Sequence, residues 1–347
     1  MFTVKLSFPA TFLIVAAVLL VTPLGAEETS GAGTVQEDMP YIADYLERPE
    51  YRELLDELET QHGFERARLD DWFSRVTLHP RVPKTLKRPA EAKPYREYRN
   101  IFISPRIYTL GAAYFKEHRA LLAEVETRTG VAATAVAAIM GIETKFGSVK
   151  GGYRAFDALN SAFALYPKRR AFFRKELIEF LLLAREEGED PFVFDGSYAG
   201  ALGMPQFMPS SFRAYASDFD GDGHRNIWTS HADVAGSIGN YLKLHGWRSG
   251  EPLRAEITLT RSQAERFNNG HKKRFPLSDL IAAGITAPEF EQLGADAQVA
   301  VVSYEEPEGH SRYFAIFNNF ASIMRYNISV NYALVAAELD DFFQEIS

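Results

Sequence analysis

The 347-residue chain contains no cysteine. Thiol nucleophiles, disulfides, Cys-ligated zinc and iron–sulfur clusters are excluded together. So is the acylated Cys that a bacterial lipoprotein carries at its mature N-terminus. Histidine is sparse, 8 residues scattered along the chain with no HExxH spacing, so a His-based zinc site has no support. A basic excess is lacking too. The 38 Lys and Arg face 46 Asp and Glu, a net charge of −8 that argues against nucleic acid as a partner. There is no internal repeat, no low-complexity tract, no charged tail and no clear interdomain linker.

What remains is globular material. Hydrophobic residues make up 46% and aromatics 13%, enough to exclude global disorder and to build a sizeable core. The length suits about two domains or one lobed domain. Residues 1–26 carry Lys5, an apolar run from Phe12 to Val21, and a small residue, Ala26, after Pro23-Leu24-Gly25. That is the pattern of a cleaved secretory signal, and the apolar run is short of the roughly 20 residues a spanning helix needs. A retained N-terminal anchor is the alternative. Cleavage after Ala26 removes one Lys and no acid, so −8 − 1 leaves a mature charge of −9. Residues 27–38 read as a flexible leader, and 39–347 as one lobed domain.

That domain reads mainly helical. Helical patterns cover 51–62, 104–129, 131–146, 169–187 and 234–245, stopped by Gly63, Gly130, Gly147, Gly188 and Gly246 in turn. Four prolines, Pro80, Pro83, Pro89 and Pro94, mark a loop-like stretch, and 188–209 reads as ordered loop. Leu253, Ala255, Ile257 and Leu259 alternate with polar residues, as in a half-buried strand. Residues 299–304 and 313–317 are strand-like around a turn, and 331–346 returns to helix. The fold class is mainly α with some β: a helical body with a small β appendage.

Glu143 stands inside the apolar helix AAIMGIETKFG, whose Val136, Ile139, Ile142 and Phe146 share a face. Partial desolvation and its place in the last helical turn both favour its protonated form, as a general acid requires. A surface Glu paired with Lys145 or Lys150 is the competing reading. The string Ser197-Tyr198-Ala199-Gly200-Ala201-Leu202-Gly203-Met204-Pro205-Gln206-Phe207-Met208-Pro209-Ser210 supplies small residues that admit a ligand close to the backbone. Gln206 offers a donor and an acceptor for sugar amides and hydroxyls, and Tyr198 and Phe207 offer flat faces for sugar rings.

The combination of Ile142-Glu143-Thr144-Lys145-Phe146-Gly147 with this loop resembles the B-type lytic murein transglycosylases. Asp157-Ala158-Leu159, Tyr166-Pro167, Asn240-Tyr241, His245-Gly246-Trp247, Phe317-Asn318-Asn319-Phe320 and Arg325-Tyr326-Asn327 extend the resemblance over about residues 40–346. It implies a lysozyme-like helical catalytic core with a helical lobe, acting on the glycan strands of peptidoglycan, without a catalytic cofactor and as a monomer. Other cell-wall enzymes are further candidate partners.

By position in the motif Glu143 would be the single catalytic carboxylate. It would protonate the β-1,4 oxygen between N-acetylmuramic acid and N-acetylglucosamine. It would then take the muramyl C6 hydroxyl proton, to give a 1,6-anhydro end without water. Ser197 and Gln206 would position acetamido sugars and Glu143. Tyr98, Tyr241 and Tyr326 would line the groove, the alternative for each being a core aromatic with a satisfied hydroxyl. Lys168 and Arg169, with Arg170, would meet lactyl or peptide carboxylates, or else form a solvated basic helix start. Two other functions stay open: a hydrolytic muramidase using the same acid, and a non-enzymatic peptidoglycan-binding protein. With no Cys to acylate, a soluble periplasmic protein is expected.

Asp218-Phe219-Asp220-Gly221-Asp222-Gly223 has the D-x-D-x-D-G form of an EF-hand calcium loop, with the His224 carbonyl next in line as a ligand. The twelfth position is Thr229 rather than Glu. Related enzymes complete an elongated loop with a later Asp, which makes Asp233 the candidate here. A calcium ion would be structural. A metal-free Asp/Gly turn is the alternative.

Overall fold

Eleven of the twelve residues in the Ala133–Thr144 helix are buried, Glu143 and Thr144 included. A helix apolar on every side must sit at the centre of a fold. The one-faced helix suggested by Val136, Ile139 and Ile142 is therefore too modest. The Val330–Ile346 helix lies along it, and the Pro105–Glu117, Arg119–Thr129 and His231–Leu244 helices complete the surround. The computed structural model describes residues 41–347 apart from 88, 89, 150, 295, 307 and 308. The signal at 1–26, the leader at 27–38, Pro89 and Lys150 lie outside the described residues.

Gly63, Gly130, Gly147, Gly188 and Gly246 all have positive φ past the helices they were expected to stop, but the Ala133–Thr144 helix already ends at Lys145, two residues before Gly147. Two expectations need correction. The 104–129 segment is not one helix but two, Pro105–Glu117 and Arg119–Thr129, broken at His118 (φ −102°, ψ 17°). The break lets the His118 ring stack on His231 at 4.4 Å while Leu122 and Val125 bury beneath the second segment. The proline stretch is not merely loop. Pro80 and Pro94 precede the helices Arg81–Leu86 and Tyr95–Phe102, and Pro83 falls in the first turn of the former. Proline is tolerated there because a first-turn N–H has no intrahelical partner to lose.

A second lobe joins Pro49–Thr60, Ala155–Leu165 and Arg170–Glu186. A two-residue antiparallel pair, β1 (Tyr153–Arg154) with β2 (Asp195–Gly196), ties the chain leaving Glu143 to the start of the Ser197–Ser210 loop.

The β region is a four-stranded antiparallel sheet of β3 (Arg254–Ile257), β4 (Phe275–Pro276), β5 (Gln298–Glu305) and β6 (Ser311–Ile316), in the order β3-β6-β5-β4. Its period of two sorts its side chains. Val299, Val301 and Ala315 face a small core with Phe267, Leu280 and Phe290, while Ala300, Val302, Phe314 and Ile316 join the main core. At roughly 1.5–3 kcal/mol per large side chain withdrawn from water, Val302, Phe314 and Ile316 hold the sheet firmly to the body. The appendage is thus docked through one face and covered on the other.

Candidate active site

Glu143 sits one residue before its helix ends, and the ending is strained. Lys145 (φ 50°), Phe146 (φ 58°) and Gly147 (φ 78°) are three consecutive left-handed residues, two of them with side chains. Such residues cost of order 1–3 kcal/mol each and persist where surroundings over-determine them. Phe146 N–H closes the helix on Met140 O at 3.1 Å, as in a Schellman turn. The Phe146 ring then folds back over two glycines. A Cβ on Gly141 would lie 2.8 Å from its Cζ, and one on Gly111 3.0 Å. Tyr114 (5.2 Å) and Phe343 (6.1 Å) close the slot. The wedge holds the turn that presents Glu143.

The carboxyl group is only 5% exposed. Burial pushes its pKa up to about 8 from an ordinary 4.5. One hydrogen bond, from Tyr332 Oη to Oε1 at 2.7 Å, pulls in the other direction, and the negative charge of Glu91 adds to the rise. Tyr98, Tyr326 and Tyr332 form the phenolic surround. Burial raises the pKa of each hydroxyl, and the charge of Glu143 raises it further. Near neutral pH the site therefore holds a protonated carboxyl among neutral phenols.

The Ser197–Ser210 loop supplies the opposite wall. Ser197 Oγ accepts from the N–H groups of Ala199 (3.3 Å) and Ala201 (3.1 Å), so its role here is to hold the turn. Leu202 bridges to both Gly196 and Phe207. Gly203 (φ 59°) packs so closely that a Cβ would meet Ile227 O at 2.5 Å. Gln206 is left-handed as well (φ 53°), with Nε2 donating to Gly203 O at 2.7 Å. Among the described residues its Oε1 and the Tyr98 hydroxyl are buried without a hydrogen-bond partner. A buried polar atom left unpaired costs about 1–3 kcal/mol. The Tyr98 hydroxyl, within reach of the Glu143 charge, marks where a polar ligand completes the set.

Several sequence candidates have other places. Phe207 is buried against Tyr241 and Tyr326, each at 5.7 Å, and offers no open face for a sugar. Tyr198 is half-buried and keeps part of its surface open. Tyr241 and Tyr326 are buried with their hydroxyls spent on the carbonyls of Arg325 and Pro205, both at 2.6 Å. They brace the Gln206 loop from behind. Lys168 is exposed, Arg169 lies over Phe172 at 4.1 Å, and Arg170 pairs with Glu50 at 3.0 Å. The Arg170 pair ties the end of this basic group to the Pro49–Thr60 helix of the second lobe.

Three residues that sequence reasoning passed over belong to the site. Tyr332 lies 189 positions from Glu143 in an ordinary helical run, so no local pattern exposes it. Glu91 lies within the proline stretch and accepts from Asn327 Nδ2 at 3.1 Å. Glu176 is buried in the Arg170–Glu186 helix. It accepts from Ser210 N–H (2.9 Å) and Oγ (2.8 Å), which anchors the far end of the loop. The segment carries Glu176 and Glu179 three residues apart, and the sequence does not say which of them is buried. Glu91→Gln keeps an acceptor for Asn327 but removes a charge. We expect the alkaline limb of the pH–activity profile to move to lower pH by less than about one unit, measured as initial rates between pH 6 and 9. An unmoved limb would remove Glu91 from the field at Glu143.

In the acidic loop the carboxylates of Asp218, Asp220 and Asp222 present oxygens all within 4.8 Å of one another. Gly221 (φ 78°) and Gly223 (φ 94°) permit the curl, and Gly221 and Gly223 N–H groups bond Asp218 at 2.7 and 2.9 Å. Three converging hard oxygens on a flexible loop fit calcium better than a softer metal. Asp233 is not among the three converging carboxylates but borders them, within reach of the charge of Asp220. It is fully buried, and its two oxygens accept from Phe219 N–H (2.8 Å) and Asn226 N–H (2.7 Å), which clamps both ends of the loop.

Comparison with known proteins agrees with this geometry. The sequence model of the transglycosylase SLT domain matches residues 47–341. The chain is 34% identical over 306 residues to membrane-bound lytic murein transglycosylase B of Escherichia coli, covering 85% of this chain and 83% of that protein. Soluble lytic transglycosylase SltB1 of Pseudomonas aeruginosa superposes with a TM-score of 0.79 at 40% identity, over 86% of this chain and 99% of the other. Lytic transglycosylase Slt35 of Escherichia coli, solved in complex with calcium, superposes at 0.78 with 34% identity, over 87% and 95%.

Proposed function

The chain belongs to the transglycosylase SLT domain family, and within it we propose that Glu143 is the acid and then the base of peptidoglycan cleavage. The protein is a lytic transglycosylase acting on peptidoglycan, with a lysozyme-like helical core. One observation carries the assignment of Glu143. It is a buried carboxyl with its pKa pushed up to about 8, bonded by the Tyr332 phenol and near the unpaired Tyr98 hydroxyl. At neutral pH it carries the proton that the glycosidic oxygen of the muramyl–glucosaminyl bond must receive. Bond cleavage leaves it ionised. The carboxylate then takes the proton of the muramyl C6 hydroxyl, and O6 closes onto C1. The atoms balance without water, and the muramyl 2-acetamido group can stabilise the cationic C1 in between. Most glycosidases need a second carboxylate to activate water or to attack C1. Here burial favours the neutral acid, and the Tyr332 hydroxyl is placed to stabilise the carboxylate left after the first proton transfer.

Product analysis tests the scheme. Muropeptides ending in 1,6-anhydromuramic acid are one water lighter than reducing-end products. Reducing ends alone would make the protein a muramidase on the same scaffold, and bound glycan without products would make it a binding module.

The calcium loop supports a second reading. Asp218, Asp220 and Asp222, with the His224 carbonyl, would hold a structural Ca²⁺ that pins the loop between the two helical lobes. We expect millimolar calcium to raise the thermal midpoint by a few degrees, and Asp222→Asn to abolish most of that rise. No shift at millimolar calcium would count against the site. Export rests on the N-terminal signal: residues 1–26 would direct the chain to the periplasm, with 27–347 soluble after cleavage. An N-terminus beginning at Glu27 in secreted material would support this, and an intact Met1 would favour an anchor.

A further inference from the structure

The chain as a whole is acidic, yet its longest basic run, His271-Lys272-Lys273-Arg274, stands on the β appendage between the Arg261–Phe267 helix and β4. Hydrogen bonds pin this loop along β5. Gly270 N–H donates to Val301 O at 3.2 Å, and Leu277 N–H to Ala297 O at 2.9 Å. Asn268 Nδ2 donates to Ser303 Oγ at 2.9 Å, and the Arg274 guanidinium to Gln298 O at 2.7 Å. A carbonyl holds Arg274 in place without neutralising it. Lys272 and Lys273 are exposed, and among the described residues neither has an ion-pair partner. Lys273 instead lies over the Phe275 ring at 5.0 Å. Arg248, just past the His231–Leu244 helix, joins the group from another part of the chain. Burial, and then the charge of Arg248, lower the pKa of Arg274. Burial, Lys272 and Arg274 do the same to half-buried His271. Glu251 meets Arg248 at 3.2 Å. The other basic run, at 168–170, is treated differently: Arg170 there pairs with Glu50.

Cations gathered on a pinned loop repel one another, and an anionic partner relieves that repulsion. A second observation says which kind. Trp247 precedes Arg248 and is half-buried, and Leu244 before it is 60% exposed. We propose that this corner of the β appendage docks on an anionic phospholipid surface. Lys272, Lys273, Arg274 and Arg248 meet the headgroup phosphates, and Leu244 and Trp247 rest at the headgroup boundary. An exposed Leu beside a Trp gains nothing from a hydrated polyanion, whereas both suit the edge of a bilayer. The acid excess carried by the rest of the chain turns the basic corner toward such a surface. The contact is peripheral and electrostatic, and it does not rest on the reading of Glu143.

The test is co-sedimentation of residues 27–347, which contain every described element of the fold, with two kinds of vesicle. One is phosphatidylcholine alone, and the other is equal parts phosphatidylcholine and phosphatidylglycerol. A chelator keeps calcium from bridging the acidic loop to the lipid. The expected result at about 0.1 M salt is binding to the mixed vesicles and not to phosphatidylcholine, weakening as salt rises. K272Q/K273Q is expected to lower the partition coefficient about 30-fold, while its thermal midpoint and its release of soluble muropeptides match those of the parent. Equal binding to both vesicles, binding to neither, or binding to the mixed vesicles that K272Q/K273Q retains overturns the proposal. So does displacement from the mixed vesicles by inorganic phosphate at constant ionic strength, which would make the corner a phosphate site. Loss of murein co-sedimentation in K272Q/K273Q, with vesicle binding unmoved, would overturn it in favour of an anionic wall polymer.

Discussion

Glu143→Gln is expected to lower release of soluble muropeptides at least about 10³-fold while leaving strand binding within a few-fold. A positioned acid contributes 10²–10⁴ in rate, and here one group serves both proton transfers. The amide oxygen can still accept from Tyr332, so the pocket keeps its shape. The loss therefore falls on kcat. In the unmodified enzyme the acid must be protonated, so activity falls as pH rises through about 8. The variant's residual rate has no such limb. Release assays with co-sedimentation of the protein on insoluble murein separate turnover from binding. Turnover within ten-fold of the unmodified enzyme would take the proton-transfer role away from Glu143.

The same substitution is expected to stabilise the protein, by an amount that depends on pH. Glu143 has a folded-state pKa near 8 against an ordinary 4.5. A raised pKa means that the stability is fully present below about 4.5 and is lost as pH rises through about 8. At 1.36 kcal/mol per unit, the shift of 8 − 4.5 sets a ceiling of about 5 kcal/mol above pH 8 and about 3 kcal/mol at pH 7. Gln carries no titrating proton, so the difference between variant and parent isolates this group from every other. We expect the variant to match the parent near pH 4 and to exceed it by several degrees in thermal midpoint at pH 8. A constant difference across that range would mean that burial does not hold the proton on Glu143. The cost is consistent with a residue kept for chemistry at the expense of stability.

The legible parts of this molecule were those written in local patterns. Glu143 stood out because a carboxylate interrupts an apolar run. The helix stops were legible because a left-handed residue at a helix end is cheapest as glycine, and Gly63, Gly130, Gly147, Gly188 and Gly246 all take that conformation. The sheet was legible from alternation, but its docking through Ala300, Val302, Phe314 and Ile316 shows only in the fold. What escaped was set by packing between distant segments. The break at His118 exists to meet His231. The partner of Glu143 is Tyr332, whose surroundings in sequence are those of any buried helix. Phe207 and Tyr198 sit in one loop, yet one faces the core and the other keeps an open surface, a choice made by the bridges through Leu202. The sequence placed Asp233 near the acidic loop by charge alone, and only the fold shows its oxygens accepting from the Phe219 and Asn226 N–H groups. The two left-handed residues before Gly147 were invisible, because only the Phe146 slot over Gly111 and Gly141 makes them tolerable.

The most direct measurement is mass spectrometry of the soluble products from purified peptidoglycan, digested in ¹⁸O-water by residues 27–347 and by the Glu143→Gln variant. The account predicts 1,6-anhydromuramyl ends without solvent oxygen from the former and none from the latter. Reducing ends carrying the heavy oxygen, or anhydro products undiminished in the variant, would contradict it.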